Sequence, residues 1–88
     1  MKKAEGYILK PLADEFVLVP YGKKTETVEE VITLSETAAF IYEQLETENS
    51  LDGIVQKVSE AYQVSKDIVY TDVQEVLRFL KDKGIVID

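Results

Sequence analysis

The side chains that could carry out chemistry in this 88-residue chain are carboxylates, amines and hydroxyls, because it contains neither histidine nor cysteine. These two absences remove the commonest general base, the thiol nucleophile and the usual ligands of transition metals. Any nucleophile would have to be a serine, a threonine, a lysine or a carboxylate. Three of the four serines, Ser35, Ser50 and Ser65, precede amphipathic segments, and we interpret them as helix N-caps.

Neighbouring acidic residues are the remaining candidates for catalysis. Glu29-Glu30 and Glu46/Glu48 are such pairs, but a chain with 17 acidic residues carries many neighbouring carboxylates on its solvated surface. The segment 22–25 ends in Lys-Thr but lacks the upstream glycine of a phosphate-binding loop. We therefore expect no enzyme, no metal site and no cofactor. A small hydrolase or lyase would have to work without histidine, cysteine or metal.

The 17 acidic and 10 basic residues give a net charge of −7. Phosphate backbones would repel such a surface, so nucleic acid is not an expected partner. No segment approaches the roughly 18 apolar residues of a membrane span, and no apolar run follows the N-terminal lysines as in a signal peptide. We expect a soluble cytoplasmic protein, which the lack of cysteine suits, with a single domain over residues 1–88.

The first third of the chain carries β-type patterns. Tyr7–Lys10 and Glu15–Val19 are short β-prone runs, each followed by a proline that we expect to end the strand. Val28–Leu34 is the third candidate strand, and its alternation puts Val31 on the face opposite the best core residues. If this strand lies at a sheet edge, its backbone groups can accept an added strand; the alternative is a solvated edge with no partner.

Three helical patterns follow, with apolar residues at i, i+3, i+4 and i+7. The first runs from the cap Ser35 to Leu45, the second covers Leu51–Tyr62, and the third ends before Gly84, a natural C′ residue. The terminal run Ile85–Ile87 is extended. The predicted fold is therefore α+β: an N-terminal three-stranded antiparallel sheet followed by a three-helix bundle, similar to a winged helix.

Winged-helix domains usually bind DNA, so a DNA-binding regulator is the alternative function. The residues that the second helix would present to DNA are Asp52, Gln56, Lys57 and Glu60. One lysine beside two acids is a poor surface for reading bases. The basic residues of the third helix are Lys66, Arg78, Lys81 and Lys83. They either complement the helix dipole or form a docking site for an acidic peptide.

Several segments agree in order and spacing with one known family. They are Asp14–Pro20, Leu34–Ala38, Ile41–Tyr42, Leu51–Val58, Tyr62–Val64, Asp72–Val73 and Phe79–Val86. Over roughly residues 7–87 the chain thereby resembles the coenzyme PQQ synthesis protein D (PqqD) family. The resemblance implies three strands followed by three helices of winged-helix type. It also implies recognition of the leader of a ribosomally made precursor peptide, which is presented to a modifying enzyme, often a radical S-adenosylmethionine enzyme.

The resemblance further implies that the leader adds as a strand to the third strand and packs against the third helix. Ile68 and Phe79 lie outside the central apolar stripe of that helix, where they either line a leader pocket or cover the core edge or a homodimer contact. Lys66 and Arg78 would lie at the rim of the pocket for acidic leader side chains. The candidate peptide-binding residues are Val28, Glu29, Glu30, Val31, Ile32, Thr33, Lys66, Ile68, Val69, Asp72, Val76, Arg78 and Phe79. Neither the precursor nor the final product, whether PQQ or another peptide, follows from the sequence.

Overall fold

The computed structural model describes residues Met1–Asp88. Its larger sheet begins with a hairpin whose loop has two residues. After a short strand β1 (Lys2–Lys3), strands β2 (Tyr7–Leu12) and β3 (Glu15–Pro20) pair antiparallel, with Leu12 opposite Glu15. The first turn residue, Ala13, has a φ of 56°, the left-handed conformation that tight hairpin loops require. Pro11 lies inside β2, so the prediction that it ends this strand was wrong, whereas β3 does end at Pro20. An edge strand and a strand terminus tolerate a missing N–H.

The third strand of this sheet is shorter than predicted. Strand β4 covers only Ile32–Leu34 and pairs with Phe16–Leu18 of β3, in the order β2-β3-β4. Residues 28–31 belong to no strand, and a 3₁₀ helix over Gly22–Glu26 replaces the expected polar loop. Continuing the ladder would place Glu30 opposite Pro20, which has no N–H to donate. The pairing therefore stops at Ile32.

The three predicted helices are present as α1 (Glu36–Gln44), α2 (Leu51–Tyr62) and α3 (Lys66–Asp82). Ser35 Oγ accepts a hydrogen bond from Ala38 N at 3.1 Å, and Ser50 Oγ accepts one from Gly53 N at 3.1 Å, which confirms both N-caps. Ser65 occupies the N-cap position of α3 but its hydroxyl makes no capping hydrogen bond. The α+β fold, with a three-stranded antiparallel sheet followed by three helices, is confirmed.

The core lies between the inner face of the sheet and the inner stripes of the helices. Helix α3 contributes Val69, Val73, Leu77 and Leu80, as its apolar spacing predicted, while Val76 is half-buried beside them. The buried residues of the other elements are Leu18, Ile32, Leu34, Ala38, Ala39, Ile41, Tyr42, Leu45, Ile54, Val55, Val58, Ile85 and Val86. The sheet and α3 are thus fixed against the same apolar interior.

A second, two-stranded sheet joins the chain ends and was not predicted. Strand β5 (Val86–Ile87) pairs antiparallel with β1, and Ala4 N donates to Ile85 O at 2.8 Å. Lys3 Nζ lies 2.6 Å from Glu46 Oε1 and 4.5 Å from the ring centroid of Tyr42, which anchors β1 to α1. None of the helices combines the length and apolar composition needed to cross a membrane.

Candidate functional site

The segment leading into β4 carries free backbone groups. Val28 N donates to Lys24 O at 2.9 Å, but Glu29, Glu30 and Val31 make no backbone hydrogen bond at all. Strand β4 has a neighbour on one side only, so its outer edge is unpaired as well. Glu29, Glu30, Val31 and Thr33 are exposed. Donors and acceptors in this arrangement are available to an added strand.

Lys83 fixes one end of this segment against α3. Its Nζ lies 3.2 Å from Glu30 Oε1 and 3.1 Å from Glu30 Oε2, and 5.8 Å from the ring centroid of Phe79. A single ammonium group therefore contacts both the segment before β4 and the last turns of α3. The sequence predicted that Lys83 either complements the helix dipole or belongs to a docking site for an acidic peptide, and it did not predict this ion pair. The position of Lys83 four residues after Phe79 was the signal that the two side chains share a face.

A cavity of about 200 Å³ lies at the opposite end of α3. Its lining residues on α3 are Ile68, Val69, Asp72 and Val73, and Thr37 of α1 lies on its other side. Tyr62 and Val64 also line it and were not among the predicted site residues. Tyr62, the last residue of α2, is exposed and packs edge-on against Phe40 at 5.5 Å between ring centroids.

The Glu30–Lys83 ion pair and the cavity that Thr37 shares with α3 show how the segment before α1 runs relative to α3. Glu30 lies beside the C-terminal end of α3 and Thr37 beside its N-terminal part, so the chain between them runs antiparallel to the helix. Along α3, residues spaced by three or four positions share the intervening face. We call this feature the β4–α3 groove. The name denotes the surface between Glu29–Thr33 and the face of α3 that carries Ile68, Asp72, Glu75, Phe79 and Lys83, and the Glu30–Lys83 ion pair is the contact that joins its two sides.

Apolar side chains are exposed on both walls of the β4–α3 groove. Val31 is 52% exposed, Ile68 65% and Phe79 42%. Ile32 and Val69, which were predicted to bind peptide, are buried in the core below the groove. They support its walls and do not reach its surface. The exposed groups are the ones that a bound chain can contact.

Two predicted residues lie outside the groove. Lys66 lines a depression against α2 together with Asp52 and Gln56. Arg78 lines a separate cavity of about 290 Å³ with Met1 and Leu51. Both therefore occupy the flank of α3 that faces α2, because helical spacing turns them away from Phe79. Of the basic residues of the third helical segment, Lys83 is the one that lies at the β4–α3 groove.

The perturbed titratable groups of the chain are distant from this groove. Burial raises the pKa of the Tyr42 hydroxyl, and the nearby charge of Glu46 adds to that rise. A hydrogen bond from Lys3 and its positive charge lower the pKa of Glu46. No group of three or more carboxylates is arranged to hold a metal ion. The groove offers hydrogen bonds, apolar contacts and charge, which are the means of binding a peptide.

Comparison with known proteins gives a family and a related fold. The family model described as coenzyme PQQ synthesis protein D (PqqD) matches residues 15–86. No curated protein matches. The solved structure of TbiB1 in complex with the TbiA(beta) leader peptide superimposes with a TM-score of 0.74 at 23% identity, covering 100% of both chains. It shares the fold described above. The family match spans most of the chain, and the chain therefore belongs to the PqqD family.

Proposed function

We propose that this protein binds the leader segment of a ribosomally made precursor peptide in the β4–α3 groove. The observation that carries the proposal is the free backbone of Glu29–Val31, which the Glu30–Lys83 ion pair holds beside the end of α3 that carries the exposed ring of Phe79. A groove with one polar backbone wall and one apolar helical wall suits an extended peptide. TbiB1, which has the same fold, has been solved with a leader peptide bound.

In this proposal the leader adds to the outer edge of β4 as a further strand. Its backbone pairs with the free groups of residues 29–33, and its alternate side chains project towards α3. The helix rises about 22 Å from Ile68 to Lys83. An extended peptide covers that length with about seven residues. Ile68 and Phe79 would accept apolar side chains near the two ends of the bound segment.

We further propose that the bound leader is presented to a modifying enzyme, which the family resemblance suggests is a radical S-adenosylmethionine enzyme. The chain itself then supplies affinity for the leader and no turnover. Because the precursor is made by ribosomes, the expected compartment is the cytoplasm. Co-purification of this chain with a candidate radical S-adenosylmethionine enzyme, with and without a leader peptide, tests the presentation step.

Amide chemical-shift mapping tests the binding site. The probe is a synthetic peptide that covers the leader of a candidate precursor, titrated into the ¹⁵N-labelled chain. We expect shifts in residues 29–33 and along Ile68–Lys83. Shifts confined to α2 and the outer face of β2 would place the site elsewhere. Saturable, salt-dependent binding to duplex DNA in place of the peptide would favour the regulator instead.

A further inference from the structure

The free charges of the β4–α3 groove are acidic. Its only cation, Lys83, is paired with Glu30 at 3.1 Å. Asp72 lines the cavity beside Ile68, and Glu75 lies between Asp72 and Phe79 in the i, i+3, i+7 series of the same face. Asp72, Glu75 and Glu29 are all exposed, and none of them forms an ion pair with a side chain of this protein. Three uncompensated carboxylates therefore border the groove.

The basic residues of α3 do not offset these carboxylates. Lys66 and Arg78 lie on the α2 flank, and Lys81 is paired with Asp88 at 3.1 Å. The net charge of −7 adds a negative field around the whole molecule. An acidic leader would meet repulsion in the groove and from the rest of the surface, whereas a basic side chain would find an unpaired partner.

From this distribution we infer that the leader recognised here carries a lysine or arginine flanked by apolar residues. The inference rests on the proposed leader-binding function of the same groove. Alternate residues of an extended chain face the same side. Apolar residues placed two positions before and two after the basic residue are about 13 Å apart, close to the roughly 16 Å rise between Ile68 and Phe79. The basic residue then lies opposite Asp72 and Glu75.

Selection from a phage-displayed library of random twelve-residue peptides tests the inference without knowledge of the natural leader. The bait is the full chain, and selection is repeated with the Phe79→Ala variant to identify peptides that depend on the groove. We expect groove-dependent peptides to be enriched in apolar-x-basic-x-apolar patterns. Enrichment of acidic peptides, or no charge bias among groove-dependent peptides, would overturn the inference and leave the proposed function standing.

A charge reversal separates the local site from the general negative field. For a selected basic peptide, synthesised and measured by calorimetry, Asp72→Lys should weaken binding about fivefold. The matched control is Glu60→Lys, which changes the net charge equally on the exposed surface of α2 and should leave affinity within about twofold. Equal losses in both variants would overturn the local role of Asp72. If no peptide is enriched, or none depends on Phe79, both the inference and the proposed function fail.

Discussion

Lys83 Nζ lies 3.1 Å from Glu30 Oε2 although the two residues are 53 positions apart in the chain. This ion pair joins the end of α3 to the segment whose backbone remains free before β4. Both side chains are more than one-third exposed, so the pair contributes little to the free energy of unfolding. Its effect is local: it holds residues 29–31 at a fixed place beside the helix.

Replacing Lys83 with methionine should therefore loosen this segment without unfolding the protein. We expect the free energy of unfolding to change by less than about 1 kcal/mol. The ¹⁵N order parameters of Glu29, Glu30 and Val31 should fall, because no backbone hydrogen bond replaces the lost anchor. Lys81→Met is the matched control, since it removes the Lys81–Asp88 pair from the same helix end. Equal order parameters in the two variants would contradict the anchoring role of Lys83.

Phe79 should contribute to leader binding more than to folding. Phe79 is 42% exposed in the unbound protein, whereas the core residues of α3 are at most 5% exposed, so Phe79→Ala should destabilise the fold less than truncation of a core residue would. If the ring anchors an apolar leader side chain, truncation should weaken binding by about 1–3 kcal/mol. Tyr70→Ala is the control, because Tyr70 is a similarly exposed aromatic residue on the α2 flank of the same helix. Calorimetry with the leader peptide gives both affinities, and an equal loss in the two variants would show that Phe79 is no anchor.

The sequence predicted the helices and the core stripe of α3 because those features are local. Apolar spacing and serine caps depend on residues within one or two turns of each other. The predicted third strand was too long because the length of a strand depends on its partner strand. Continuing the ladder would place Glu30 opposite Pro20, which has no N–H to donate, so the pairing stops at Ile32. Strands β1 and β5 contain two residues each, too few for any periodic pattern, and pair only because the chain ends meet.

The candidate peptide-binding residues remain predictions, and the structure shows where each of them lies on the fold. Ile68 and Phe79 were identified because large apolar residues outside a core stripe are visible in the sequence. The rim cations Lys66 and Arg78 lie on the other flank, since charge clustering along a helix does not specify which flank faces the neighbouring strand. The pairing of Lys83 with Glu30 depends on tertiary structure, which sequence spacing does not encode.

Val31→Pro should weaken leader binding and leave the fold intact. Val31 N donates to no backbone group in the structure, so proline removes no hydrogen bond from the folded state. If the leader pairs with this N–H, the variant loses about 1 kcal/mol of binding free energy. Val31→Ala is the control that keeps the N–H while truncating the side chain. A proline variant that melts normally and binds as tightly as the alanine variant would exclude pairing at this position.

Lys3 should control the titration of Glu46. A hydrogen bond from Lys3 at 2.6 Å and its positive charge hold the pKa of Glu46 below its ordinary value of 4.5. Because the folded-state pKa is lowered, the interaction stabilises the fold above the ordinary pKa and is lost as the pH falls through the lowered value. In Lys3→Met the pKa of Glu46 should rise towards its ordinary value, and NMR of the Glu46 carboxyl carbon measures it. Lys2→Met is the control and should leave the pKa of Glu46 unchanged. An unmoved Glu46 pKa in Lys3→Met would disprove the pairing.

Gln63→Gly should stabilise the protein, unlike most glycine substitutions. Gln63 ends α2 with a φ of 54° and a ψ of 47°, the left-handed conformation at which a Cβ costs about 1–2 kcal/mol. Glycine removes that strain but loses about 0.5–1 kcal/mol through the greater freedom of the unfolded chain. The net gain in the free energy of unfolding should be about 0.5–1 kcal/mol, measured by urea denaturation. Lys57→Gly, at an exposed position inside α2, should instead lower stability by about 1 kcal/mol, because its backbone is helical and glycine relieves no strain there.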